Sequence, residues 1–180
     1  DAMKYKRDQM MYAAILGWFS FCWFGWAQAD PRADWRIWIA LADGIALLVS
    51  FAGGILSFRN WHKASALDKN SSWKWYLIFL ISEFVLALIG AVFLISKNQI
   101  NYISLWISFV VAIHFFGLKF VFRDYSLFVL GGIMLFMTII AHPLANYFNV
   151  DQSAIIGIAN GFCLLVFALI GLRLGLRKNK

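Results

Sequence analysis

Charge, proline and cysteine are all scarce in this chain. Its 180 residues include only 16 Lys and Arg, 9 Asp and Glu, 2 prolines and 2 cysteines. A soluble domain is about 25% charged and about 45–50% apolar. A chain that is 14% charged and 62% hydrophobic cannot cover a water-facing surface. Two cysteines exclude a disulfide scaffold. The high hydrophobicity excludes a disordered chain.

Catalytic signatures are missing too. There is no Gly-x-Ser-x-Gly, no His-Glu-x-x-His, no phosphate loop and no aspartate pair at helical spacing. The basic connections carry only Asp68 and Asp124, a poor setting for head-group chemistry. No catalytic residue is nominated, and an enzyme is the weaker expectation. Metal ligands fail on geometry. His114 and His142 differ in depth by roughly 15 Å if both lie in membrane helices, His62 falls on a connection, and Cys22 and Cys163 have no paired spacing. No metal and no cofactor is expected.

What the chain does have is six long apolar runs, roughly 11–29, 36–57, 75–96, 101–121, 125–146 and 153–174. A helix crossing a hydrocarbon core of about 30 Å needs about 20 such residues. Barrel strands alternate in units of about 10 residues, and these runs do not alternate. The spacing therefore predicts an all-α integral membrane protein, one domain over 1–180, built as a bundle of six transmembrane helices. The first run is long and rich in tryptophan, unlike a signal peptide with its 7–15-residue core, and reads as a retained helix.

The basic residues are unevenly placed. Lys4, Lys6, Arg7, Arg59, Lys63, Lys69, Lys74, Lys119, Arg123, Arg173, Arg177, Lys178 and Lys180 fall on one side, and Arg32, Arg36 and Lys97 on the other. Positive residues mark the cytoplasmic side, so both termini are expected there, in a cell (inner or plasma) membrane. Topology and attraction to anionic lipid explain the net charge of +7, and no nucleic-acid partner is expected. Trp26, Trp35 and Trp38 fall at one set of helix ends and Trp61, Trp73 and Trp75 at the other, as interfacial belts do.

An offset of 88 residues lays Trp18-Phe-Ser-Phe21 on Trp106-Ile-Ser-Phe109 and Gly44-Ile45 on Gly132-Ile133. A shorter offset lays Ala87-Leu-Ile-Gly90 on Ala168-Leu-Ile-Gly171. Chance sharing between apolar helices is one explanation. The other is a 3+3 repeat with halves 11–96 and 101–174. Three helices per half make such a repeat inverted, with a binding site between the halves.

Ionisable residues inside membrane helices are costly and functional by default. Glu83 and His114 fall at nearly the same depth. Such a pair titrates as a unit near neutral pH, which suits proton coupling. Asp43 lies roughly 10 Å further out, as a separate station. His142, beside Pro143, lies near the outer end, where the proline is expected to kink or end the helix. Asn160-Gly161 reads as a helix interruption that exposes backbone to a ligand. Glu83, His114, Asp43, His142 and Asn160 are the candidate substrate and proton residues. Gly53-Gly54 and Gly131-Gly132 read as close-packing points, and Ala13 and Gly17 as a small-x-x-x-small docking face.

The expected function is a small transporter or channel-like permease for a small solute or ion, proton-coupled through Glu83 and His114. One alternative is the substrate-binding membrane subunit of a multi-component transporter. The chain resembles the vitamin-capturing components of energy-coupling transporters in size, helix count and charge bias. Another is a non-transport sensor or assembly protein. The expected partners are the lipid bilayer, a small solute or proton, and a second copy or a partner membrane subunit.

Overall fold

A computed structural model describes residues 5–65, 70–122 and 124–177. Six long helices form in chain order: α1 (Lys6–Ala27), α2 (Arg36–Arg59), α3 (Asn70–Ser96), α4 (Ile103–Phe122), α5 (Tyr125–Phe148) and α6 (Gln152–Arg177). Among the described residues there is no strand. All six helices are long and apolar enough to cross a membrane, and the bundle's outward faces carry side chains such as Trp38, Leu48, Phe84, Leu88 and Ile139. These features are compatible with a multi-pass membrane protein. Lys4, Asp68, Lys69, Arg123, Lys178 and Lys180 lie outside the described residues.

Local chemistry sets the helix ends. α1 stops just before Asp30-Pro31; a residue preceding proline is pushed out of the helical region. α3 and α5 close with left-handed asparagines, Asn98 (φ 55°) and Asn149 (φ 52°). Past each, an amide reaches back five residues, Gln99 N to Leu94 O (2.8 Å) and Val150 N to Ala145 O (3.1 Å). Asparagine tolerates this conformation because its short side chain bonds locally. Asp124 opens α5 by accepting from the Ser126 amide at 2.9 Å. Of the two outcomes expected at Pro143, the helix end does not occur, since α5 runs on to Phe148. One expectation is corrected here. α6 passes through Asn160-Gly161 without a break.

Successive helices run antiparallel. Gly17 faces Ser50 and Gly53 faces Ala14 and Met10 across α1–α2, while Gly157 faces Trp23 and Gly175 faces Met10 across α1–α6. The basic ends Lys6, Arg59, Lys74, Lys119 and Arg173 therefore share one face of the bundle, opposite Arg36 and Lys97. Packing is uneven. α1 lies pressed between α2 and α6, and α4 between α5 and α3. Small residues make the tight seams possible. A Cβ at Gly53 would sit 2.6 Å from the Ala14 nitrogen, and one at Gly157 2.7 Å from the Trp23 carbonyl oxygen. Gly131 similarly meets the Ala112 carbonyl across α4–α5. Ala13 and Gly17 are buried in these internal seams. The face expected to dock a partner is occupied by the chain's own α2 and α6.

α3 is the exception. It packs principally on α4, and none of its described residues is fully buried. Two glycine–aromatic seats hold it. The Trp106 indole lies on Gly90 and donates Nε1–H to Leu86 O at 3.1 Å. The Phe79 ring lies on Gly117.

Candidate functional site

Between the two seats of α3, the sequence places Glu83 and His114 at one level. The structure brings them to 3.3 Å, His114 Nδ1 to Glu83 Oε2. Both side chains are largely enclosed, 8% exposed for His114 and 12% for Glu83. The same Nδ1 is 3.2 Å from the Phe79 carbonyl oxygen. A carbonyl only accepts, so Nδ1 carries a hydrogen shared between the backbone and the carboxylate. Nε2 is left as the ring's acceptor or second donor. Oε1 of Glu83 makes no hydrogen bond to the described residues.

The pair lies on the wall of a cavity of about 100 Å³ between α1, α3, α4 and the start of α5. The walls are chiefly apolar, from residues such as Phe19, Phe115 and Leu127. The other ionisable groups on them are Tyr12 and Asp8 from α1, Tyr76 from α3 and Asp124 at the head of α5. None of the described lysines or arginines lines the cavity. Asp8 accepts from Ser65 Oγ at 2.5 Å, and Asp124 is engaged in its helix cap. The Tyr12 hydroxyl is buried with the Ser126 hydroxyl as its neighbour. This arrangement can hold a proton between a carboxylate and an imidazole on the wall of a cavity.

The remaining candidates lie elsewhere. Asp43 is on α2, half-buried near Cys22, with Oδ1 lacking a hydrogen-bond partner; it does not line the cavity. His142 is exposed near the end of α5, where Nδ1 meets Gln152 Nε2 at 2.7 Å and Nε2 meets Asn146 Nδ2 at 3.3 Å. Its ring stacks on Tyr102 with centroids 6.1 Å apart.

Asn160 is fully buried. It donates to Ser108 Oγ at 2.8 Å, and Ser108 is 2.6 Å from Thr138 Oγ1. Thr138 in turn bonds back to the Met134 carbonyl at 2.8 Å. Beside this chain, Ser20 donates to the Gly161 carbonyl at 2.7 Å. Asn160 thus ties α6 to α4 and α5 within an unbroken helix, rather than marking a break at a binding site. The two serines of the tie were legible only as equivalents in the 88-residue offset. Tyr12 and Tyr76 carried no sequence signal that set them apart from other membrane tyrosines.

Compared with known proteins, the chain matches no family model, no curated protein and no solved structure.

Proposed function

We propose that the chain is a multi-pass permease of a cell membrane that moves a small solute or ion, with Glu83 and His114 as its proton-handling pair. The observation that carries this reading is the 3.3 Å contact of the two side chains on the wall of a cavity. A carboxylate and an imidazole that share one hydrogen titrate as a unit. Placed at membrane depth, such a pair is costly to keep unless it serves transport or a proton relay. The thirteen basic residues on one side support a topology with both termini in the cytoplasm. The cavity then lies toward the cytoplasmic half.

Helix pairing supports a 3+3 inverted repeat. α1 packs on α2 as α4 packs on α5, and α1 packs on α6 as α4 packs on α3. Ser20 and Ser108, equivalent at the 88-residue offset, engage the adjacent residues Gly161 and Asn160. The halves part at their third helices. α6 also reaches α2, α4 and α5, while α3 stays on α4. The cavity occupies the side where α3 does not close on α1. A seam that one half closes and the other leaves open is a place for alternating access.

Proton flux into proteoliposomes tests the reading. Vesicles carrying an internal pH-sensitive dye are given a potassium diffusion potential, with and without a mixture of small metabolites. The wild-type protein moves protons, alone or with a solute, and folded Glu83→Gln does not. Equal flux in Glu83→Gln removes the pair from the function.

A further inference from the structure

The chain is basic, yet its cavity is not. Nine acidic residues stand against sixteen basic ones overall, but the cavity is lined by Asp8, Glu83 and Asp124 and by none of the described lysines or arginines. Two of these carboxylates have local work, Asp8 on Ser65 and Asp124 on its own helix cap. Glu83 differs. One oxygen meets His114, and the other, Oε1, has no hydrogen-bond partner among the described residues. The cavity that Glu83 lines also has apolar walls and the rings of Tyr12, Tyr76 and Phe115. A carboxylate oxygen in a low-dielectric space strongly favours a positive partner. Aromatic faces add to that preference. An anion would meet three carboxylates, with none of the described lysines or arginines and only the His114 ring as a counter-charge.

Size narrows the class. A cavity of about 150 Å³ holds benzene. A space of about 100 Å³ suits a compact body of about four heavy atoms by the same measure. We propose that the cavity between α1, α3 and α4 binds a small organic cation, an ammonium group on a compact apolar body, with Glu83 Oε1 as its counter-charge. This rests on the permease reading for its meaning as a substrate site, although binding itself is measured separately. With the cation seated, Glu83 needs no proton of its own. Proton and cation therefore compete for one carboxylate, with His114 holding the other oxygen in place.

The test is equilibrium binding to the purified full chain of three branched probes of one size: trimethylammonium, isopropanol and acetate. Trimethylammonium binds saturably, and the neutral and anionic probes do not. Glu83→Gln weakens trimethylammonium binding about ten- to a hundredfold, the range for losing a charged partner. Leu80→Phe, which fills the cavity from the α3 wall, weakens it as well. The inference is overturned if isopropanol or acetate binds as well as the cation. It is also overturned if trimethylammonium binding is unchanged in both variants. Proton flux separates the two readings. Cation binding without flux keeps the site and removes the permease. Flux that needs Glu83, without cation binding, keeps the permease and removes this ligand class.

Discussion

One side of the bundle is built to stay put and the other is built to give. α1, α2 and α6 meet through glycine and alanine, backbone against backbone, with Gly17, Gly53 and Gly157 at the closest points. α3 meets the rest chiefly through two aromatic rings laid on glycines, one indole hydrogen bond and the contacts of His114 with Glu83 and the Phe79 carbonyl. The polar ties differ as well. α6 is held by neutral groups, Ser20 of α1 at Gly161 and Asn160 through Ser108 of α4 to Thr138 of α5, while the Glu83–His114 pair sits at the joint of the loosely held helix. Without a hydrophobic force between membrane helices, packing and hydrogen bonds must do the holding. α3 has the least packing of the six, so it is the helix expected to open first.

The sharpest way to break the comparison is to overfill the tight side. In Gly53→Leu the new side chain meets the Ala14 and Met10 backbone, which no rotamer change relieves. We expect a loss of about 3 kcal/mol or more, at the upper end of overpacking costs, seen as a collapsed melting temperature in detergent. Its neighbour Gly54 has open space, so Gly54→Leu should stay within about 0.5 kcal/mol of wild type. Equal effects at the two positions would dissolve the distinction between seam and outer face.

Next in size is the buried polar tie. Asn160→Ala removes the bond to Ser108 and leaves space in a filled core. We expect a loss of about 1–2 kcal/mol, near the upper limit for interhelical hydrogen bonds. Thermal unfolding in detergent measures it.

On the loose side the stability effects shrink. Trp106→Phe deletes the bond to Leu86 O and should cost about 0.6 kcal/mol, the average for such bonds. The change should appear in hydrogen exchange as faster exchange along α3 and unchanged exchange along α1 and α6. Uniform acceleration would mean that α3 is not an independent unit. Glu83→Gln keeps the side chain's shape and should change stability least of all.

Much of this division was legible in part. Apolar length located all six helices. The expected starts of α1 and α3 fell short because polar first turns, Lys6-Arg7-Asp8 and Asn70-Ser71-Ser72, extend beyond the apolar runs. Counting residues along helices gave depth, and depth put Glu83 beside His114. Depth says nothing about rotation around a helix axis or about which helices are neighbours. For that reason Ala13 and Gly17 read as a docking face when they are an internal seam. Asn160-Gly161 read as a break when the asparagine bonds sideways and the helix continues. Ser108 and Thr138 meet only because α4 and α5 turn those faces to each other, which no spacing rule reveals.

In the proposed permease, the closely packed helices hold the fold and the Glu83–His114 pair handles the proton. Proton flux in proteoliposomes, measured on folded wild-type, Asn160→Ala and Glu83→Gln protein, tests it most directly. The account predicts flux in wild-type and in Asn160→Ala protein despite the latter's lower melting temperature, and none in Glu83→Gln at near wild-type stability. Flux that survives in Glu83→Gln and is lost in folded Asn160→Ala would place the working residues in the packed core and contradict the account.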